Sequence, residues 1–541
     1  MKTIEEVAAS VGFRPSELIP AGRGAMKVPV ALVRSLSKGS RRGRLVLVSA
    51  MTATAHGEGK TVVSIGLAMA LERLGHRTVV CLRQPSIGPV FGSKGGASGG
   101  GRSTVEPRSV VDLGLTGDLD AIANAQNLMA ALVDHHIYRG NPLGIASNAP
   151  IFPRASSIED RSLRDISTGL SASAPGFPRK GQFVVTAATE VAAIHALAGD
   201  YSDLKRRLGR VLVARNGAGA PVRASDLAAE GSAAALLTTA LAPNLVQTTE
   251  GTAAFVHGIP YANVAHGTCT LLSMEAGISL GEFCIVEAGF ATELGAEKFV
   301  DIVSRQTHLD ANVGVVVVSV RALRYHGGAS EDSVSAEAVG RGLSNLDQHL
   351  SNMRRIGLDP IVALNRFPTD SPEEIRRVEE FCSGVGVPCA LTTAFQDGGK
   401  GAEALARLVI EAAARGQTSH PVYPANASVE EVLRQVVTEF YGGASVELSP
   451  EATADLESIR AMGEAVGPVC IAKTPRSLSD DARKIGRPTG FTVRVRRLMR
   501  WSGAGFTVAI VGSIVTLPGM PEHPATETID LSDDGEVVGL R

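Results

Sequence analysis

Short apolar runs recur along the chain, with helix-length stretches between them. They fall at residues 45–48, 78–82, 183–185, 211–213, 283–286, 313–318, 361–364 and 469–471. Runs that are apolar at every position suit strands covered on both faces, as in a parallel sheet beneath helices. Their alternation with helical segments predicts a doubly wound α/β fold with a mostly parallel sheet. Near the C-terminus the pattern changes. Residues 491–496 alternate apolar and polar side chains, and residues 506–511 follow a glycine turn. That predicts an antiparallel pair in a smaller α+β domain, with Pro421 and Pro424 in the connection that precedes it.

A strand predicted over residues 45–50 and an apolar helix over 61–74, ended by Gly75, bracket the run Thr54-Ala55-His56-Gly57-Glu58-Gly59-Lys60-Thr61. Glycines let backbone N–H groups converge on phosphate oxygens, and the helix N-terminus adds its positive end. In a P-loop of this kind Lys60 reaches the outer phosphates and Thr61 offers its hydroxyl to Mg2+. The strict pattern has glycine where this chain has Thr54. The alternative is an ordinary glycine turn with a solvated lysine, and the flanking strand and helix favour the phosphate site. The expected organisation is a nucleotide-binding domain with this P-loop over 1–345, a second α/β domain over 346–425 and a C-terminal domain over 426–541.

Open α/β sheets bind ligands beyond the carboxyl ends of their strands. Arg83 ends the 78–82 strand; by itself it reads as a surface arginine paired with a carboxylate, and the alternative sets its fork beside Lys60, suited to a phosphoryl or acyl phosphate group. Glu287-Ala288-Gly289-Phe290 and Asn365-Arg366-Phe367-Pro368 follow two further strands, and Phe395 comes soon after Ala390-Leu391. Each phenylalanine alone reads as core, whereas three after strand ends suit a cleft for a flat heterocycle. His135, His136, His257 and His266 lack metal-ligand spacing and read as structural or hydrogen-bonding residues.

Composition narrows the class. The chain is 44% hydrophobic and only 4% aromatic with 59 glycines, which suits a glycine-rich α/β enzyme. A formal net charge of -2 supplies no basic field for nucleic acid or an anionic membrane. The six cysteines form no CxxC pair and mostly sit in apolar runs, so buried, reduced thiols of a cytoplasmic protein are expected. The N-terminal residues carry early acids rather than an apolar core, which argues against a signal peptide. No apolar run, 313–318 included, approaches the roughly 20 residues that span a bilayer.

The chain resembles the formate–tetrahydrofolate ligase (formyltetrahydrofolate synthetase) family over nearly its whole length. The resemblance is carried by Gly57-Glu58-Gly59-Lys60-Thr61, Leu82-Arg83-Gln84-Pro85-Ser86, Lys94-Gly95-Gly96-Ala97, Thr116-Gly117-Asp118, Pro243-Asn244-Leu245-Val246-Gln247-Thr248, Ala262-Asn263-Val264-Ala265-His266-Gly267 and Glu287-Ala288-Gly289-Phe290. Val320-Arg321-Ala322-Leu323, His326-Gly327-Gly328, Phe367-Pro368-Thr369-Asp370 and Ala472-Lys473-Thr474 extend it toward the C-terminus. It implies an ATP-dependent ligase that phosphorylates formate to formyl phosphate and passes the formyl group to tetrahydrofolate. It implies Lys60 and Arg83 on the phosphoryl group and formyl phosphate, and Asp118 near the folate amine. Phe290, Phe367 and Phe395 are implied to shape the folate pocket. Also implied are Mg2+, a monovalent cation and a homotetramer.

Several positions depart from the family's usual wording. His56 and Val62 stand beside the loop, Arg102 replaces a tyrosine, Asp120 a histidine, Glu159 an asparagine, and Phe395 a tryptophan. Residues 105–113 also read differently. Because these changes cluster toward the acceptor side, two alternatives stay open. One is a repurposed paralogue that forms an acyl phosphate but uses another carboxylate or amine. The other is a catalytically silent nucleotide- or folate-binding protein.

Overall fold

The computed structural model describes residues 1–22, 24–39, 43–92, 98–146, 152–170 and 178–540. The Lys94-Gly95-Gly96-Ala97 block lies outside the described residues. In chain order the strands of the main sheet are β1 (Ile19–Pro20), β2 (Met26–Lys27), β3 (Arg44–Ala50), β4 (Thr78–Leu82), β5 (Gly99–Gly100), β6 (Ser103–Glu106), β7 (Asn244–Thr248), β8 (Ala253–Val256), β9 (Phe283–Glu287), β10 (Val313–Val318), β11 (Pro360–Asn365) and β12 (Cys389–Thr392). Their spatial order is β1-β2-β7-β8-β4-β9-β3-β10-β11-β12, with β6 pairing to β7 and β5 to β6. From β8 through β12 every neighbouring pair is parallel. The β1, β2 and β7 edge is antiparallel.

The uniformly apolar strands are covered on both faces because their period of two divides the side chains between two cores. On β3, Val46, Val48 and Ala50 face one core, and Leu45 and Leu47 the other. The first core is closed by helices α1 (Lys60–Arg73) and, much later in the chain, 403–414; the second by 271–280 and 336–355. The result is a three-layer α/β sandwich. From β3 the chain moves outward to β4 and β8, then returns to insert β9 between β4 and β3. From β10 onward it builds in the opposite direction. This reversal beside β3 puts a crevice at the carboxyl ends of β4, β9, β3 and β10.

Two expected main-sheet strands lie elsewhere. Phe183–Val185 pairs only with Arg154–Ser156 in a two-stranded parallel sheet, and Leu212–Arg215 forms an antiparallel pair with Pro221–Arg223. Their places are taken by β7 and β8. The main sheet also continues past residue 345, since β11 pairs with β10 and β12 with β11. A second sheet contains β13 (Ser445–Leu448), β14 (Val469–Ala472), β15 (Thr492–Trp501) and β16 (Phe506–Val511), ordered β13-β15-β16-β14. Its centre is the antiparallel β15–β16 pair that the alternation predicted. Among the described residues all six cysteines are free thiols, and no helix is long and apolar enough to cross a membrane.

Candidate active site

The glycine loop leaves β3 at Ala50 and enters α1 at Lys60. Gly57 and Gly59 both have left-handed backbones, with φ of 76° and 77°. A Cβ on Gly59 would stand 2.3 Å from Asn365 Nδ2, so this position requires glycine twice over. Gly59 caps α1 without a side-chain hydrogen bond, which leaves the first-turn N–H groups open to an anion.

Most of the loop is held from within. The Glu58 carboxylate is buried and accepts from the Thr54 backbone N–H at 2.8 Å and from the Ser319 hydroxyl. Asn365 Nδ2 donates to the Glu58 carbonyl at 3.1 Å, and Arg321 donates to the Gly57 carbonyl at 2.8 Å. Ala55 and His56 are exposed, with His56 Nδ1 2.9 Å from Glu331. Glu58, a candidate ligand contact by sequence, therefore turns its side chain inward as a brace.

Just before the loop, Thr52 is clamped by three side chains. Its N–H donates to His349 Nε2 at 2.9 Å, and its carbonyl accepts from His326 Nε2 at 3.0 Å. Asn345 Nδ2 donates to its hydroxyl at 3.0 Å. Gly486 N–H donates to His326 Nδ1, which fixes the His326 tautomer, and His349 Nδ1 meets Thr292 Oγ1 at 2.7 Å. Burial pushes both imidazoles down to about 4, so they serve as neutral donors and acceptors. Ser319, Arg321 and His326 all belong to α2 (Val320–His326) or its N-cap, so one short helix after β10 braces both ends of the loop.

At the mouth of the loop four charged or polar groups converge. The Thr61 hydroxyl donates to Glu287 Oε2 at 2.7 Å, and Arg83 Nη2 lies 3.4 Å from Glu287 Oε1. Burial lowers the Lys60 pKa; the Glu287 carboxylate pulls it back up and Arg83 pushes it further down. Among the described residues Arg83 makes one long contact, to Glu287, and its buried Nε has no hydrogen-bond partner, which leaves donors for a ligand. Beyond it, Phe290 follows Glu287-Ala288-Gly289 with φ of 61°, a left-handed conformation that is strained for a bulky residue.

The other expected site residues divide. Asp118 is only 1% exposed, and its carboxylate is fully engaged. It accepts from Lys27 Nζ at 2.9 Å, Asn244 Nδ2 at 2.7 Å and Gln84 Nε2 at 3.2 Å. Gln84 directly follows Arg83, so this bond ties Asp118 to the strand end that carries Arg83. Phe367 lies beyond the end of β11, half-buried, with the Arg321 guanidinium 4.7 Å from its ring centre. Phe395 is 50% exposed beyond β12, and its carbonyl accepts from Arg102 N–H at 2.8 Å. Arg102 and Asp120 are exposed, and Glu159 is buried with its side chain against Gly88 and Gly92. His257 is structural, bonded to Thr270 and the Ala240 carbonyl, and burial pushes the His266 imidazole down to about 3.

Sequence reading placed Glu287 and Asn365 at strand ends without giving them a role, and it missed Ser319, Arg321 and His326 as site residues. One signal was available for Ser319 and Asn365: each is the polar residue at the carboxyl end of a buried strand. Among the described residues no cluster of three or more His, Cys, Asp or Glu side chains could hold a metal by itself.

The whole chain, residues 1–541, matches the family model described as formate–tetrahydrofolate ligase. It is 45% identical to the formate–tetrahydrofolate ligase of a Nocardioides species, covering 100% of this chain and 98% of that one. It is 46% identical to the formate–tetrahydrofolate ligase of Thermus thermophilus, covering 99% and 98%, and 43% identical to that of Fervidobacterium nodosum, covering 100% and 98%. The chain belongs to the formate–tetrahydrofolate ligase family.

Proposed function

We propose that the protein joins formate to tetrahydrofolate at the expense of ATP, giving 10-formyltetrahydrofolate, ADP and phosphate. The observation that carries the reading is the convergence of Lys60, Thr61 and Arg83 on Glu287 at an uncapped helix N-terminus. Full-length similarity to proteins named as ligases favours this over a paralogue with another acceptor or a silent binding protein.

The Thr54–Thr61 run is the phosphate loop in this reading. Lys60 and Arg83 hold the transferring phosphoryl group between them and offset the charge that builds on its oxygens. A formate oxygen forms the new bond to the γ-phosphorus as the bond to ADP breaks. The N10 amine then forms a bond to the formyl carbon, phosphate leaves, and the amine proton is lost. The Thr61 hydroxyl and Glu287 carboxylate are hard oxygen donors, and they fit Mg2+, which takes few protein ligands and completes its shell with water and phosphate. When bound, that ion neutralises phosphate charge. Phe290 and Phe367 shape the folate pocket, with Phe367 stacked on the pterin and Phe395 at its outer edge. Asp118 acts through Gln84, holding the backbone beyond Arg83 in place.

The test is ATP turnover with a panel of small carboxylates, with and without tetrahydrofolate, followed by mass analysis. Equal amounts of ADP and 10-formyltetrahydrofolate, with formate preferred, are expected. ATP cleavage that favours another carboxylate, or that proceeds at full rate without folate, would overturn the reading.

A further inference from the structure

Arg321 touches two parts of the site that sequence reading treats separately. From the first turn of α2, its Nη2 donates to the Gly57 carbonyl of the phosphate loop at 2.8 Å. The same guanidinium lies 4.7 Å from the centre of the Phe367 ring. Its position is fixed at the root, because Ser319 caps α2 by accepting from Ala322 N–H at 3.0 Å and also bonds Glu58 in the loop. Glu331 stands 3.6 Å from Arg321 Nε and also pairs with His56.

We infer that Arg321 is a positioning residue that couples the nucleotide and folate sites, holding the phosphate loop with one edge of its guanidinium while its plane backs the ring of Phe367. The physical argument is the shape of the group. A planar guanidinium donates in its plane and stacks on an aromatic face through its π-surface, so both contacts coexist on one side chain. A ring covered on one face by a cation is steadied in its rotamer, which leaves the opposite face for a flat ligand. A shift of the loop on nucleotide binding moves the Gly57 carbonyl, and through Arg321 it moves the backing of Phe367. The inference rests on the proposed placement of the pterin against Phe367.

The experiment compares Arg321→Met, Arg321→Lys, Phe367→Leu and the double variant Arg321→Met with Phe367→Leu. KM for ATP, KM for tetrahydrofolate and kcat are measured for each, with folding checked by circular dichroism. Arg321→Met is expected to raise both KM values, roughly three- to tenfold each. Lysine is a compact point charge that can reach the carbonyl or the ring but not both, so Arg321→Lys should restore only one KM. With Phe367→Leu already present, Arg321→Met should still raise KM for ATP but add little to KM for folate. A shift in one KM alone for Arg321→Met, or full restoration of both by lysine, overturns the coupling. If Arg321→Met does not fold, the Arg321→Lys result decides by the same criterion. Phe367→Leu that leaves KM for folate unchanged instead overturns the pterin placement, so the two failures are told apart.

Discussion

The proposed phosphate side and the proposed acceptor side of the crevice are built by different means. Around Lys60 the groups are charged, largely buried and fixed by side chains from distant parts of the chain: Glu58 by Ser319, Thr52 by His326 and His349, Arg83 by Glu287. Around Phe367 and Phe395 the groups are aromatic and half-exposed. Phosphoryl transfer needs charges placed before the reaction begins, because dipoles that must reorganise lose most of their worth. Holding a flat heterocycle needs area and a π-face, which tolerate exchange among aromatic residues. The difference suits the exchange of one aromatic residue for another at Phe395.

The largest expected effect tests the rigid side. If Lys60 offsets the charge of the transferring phosphoryl group as proposed, Lys60→Ala should lower kcat by about 10²–10³-fold or more. KM for tetrahydrofolate should stay within about twofold, because uniform binding of the second substrate is untouched. Steady-state kinetics at saturating ATP and formate, with folate varied, measure both. A kcat that survives the substitution would mean that the phosphate grip lies elsewhere.

A smaller effect tests how the rigid side is held. His326 and His349 stay neutral in the folded protein, with burial pushing each down to about 4. In the unfolded chain a histidine takes up its proton near about 6.5. The folded state therefore binds fewer protons between these values. The stabilisation is fully present above about 6.5 and is lost as pH falls toward 4, by up to about 3 kcal/mol for each ring. Glu190 and Asp301, raised to about 7 and about 6 by burial, act in the opposite sense over part of that window. A difference measurement removes them. Relative to wild type, His349→Gln should gain about 2–3 kcal/mol between pH 7.5 and 4.5, read from denaturant midpoints. A gap that does not change with pH would show that the clamp on Thr52 is not a neutral imidazole.

The same contrast governs what was legible in the sequence. The glycine loop, the strand before it and the helix after it are local signals, and their positions follow from glycine spacing and an unbroken apolar run. The antiparallel β15–β16 pair is equally local. The 183–185 and 211–213 runs misled because three apolar residues state burial without stating against what. Strand β8 was hidden by Ala253 and Ala254, since alanine favours helix and only pairing with β4 makes it a strand. The bracing of the loop was beyond reach for a related reason. Glu58 and Ser319 lie 261 residues apart, and Thr52 and His349 lie 297 apart. Nothing in the composition of either segment names its partner.

On the adaptable side, Phe395→Ala removes an exposed aromatic face while keeping the backbone contact to Arg102. KM for tetrahydrofolate should rise by roughly three- to tenfold, the worth of one aromatic stack, with KM for ATP unchanged. Phe395→Trp should lower KM for folate by a smaller factor. If Phe395→Ala instead reduced kcat as strongly as Lys60→Ala, the two sides would not differ in kind.

The smallest effects are expected at Arg102 and Asp120, whose changes of charge make them the natural suspects for altered substrate choice. Arg102 reaches the site through its backbone: its N–H donates to the Phe395 carbonyl and its carbonyl accepts from the Thr249 hydroxyl at 2.7 Å. A substitution keeps both contacts. Asp120 is exposed on the first turn of helix Asp118–Tyr138, where an acid favours the helix N-terminus by about 0.3–1 kcal/mol. Its charge there has a local reason that requires no ligand. Arg102→Tyr and Asp120→His, singly and together, should therefore leave the preference for formate over acetate within about twofold, as exposed substitutions usually shift free energies by under about 0.5 kcal/mol. A larger change in the ratio of kcat/KM values would place one of these charges against the substrate, and the acceptor side would then discriminate by electrostatics as well as by shape.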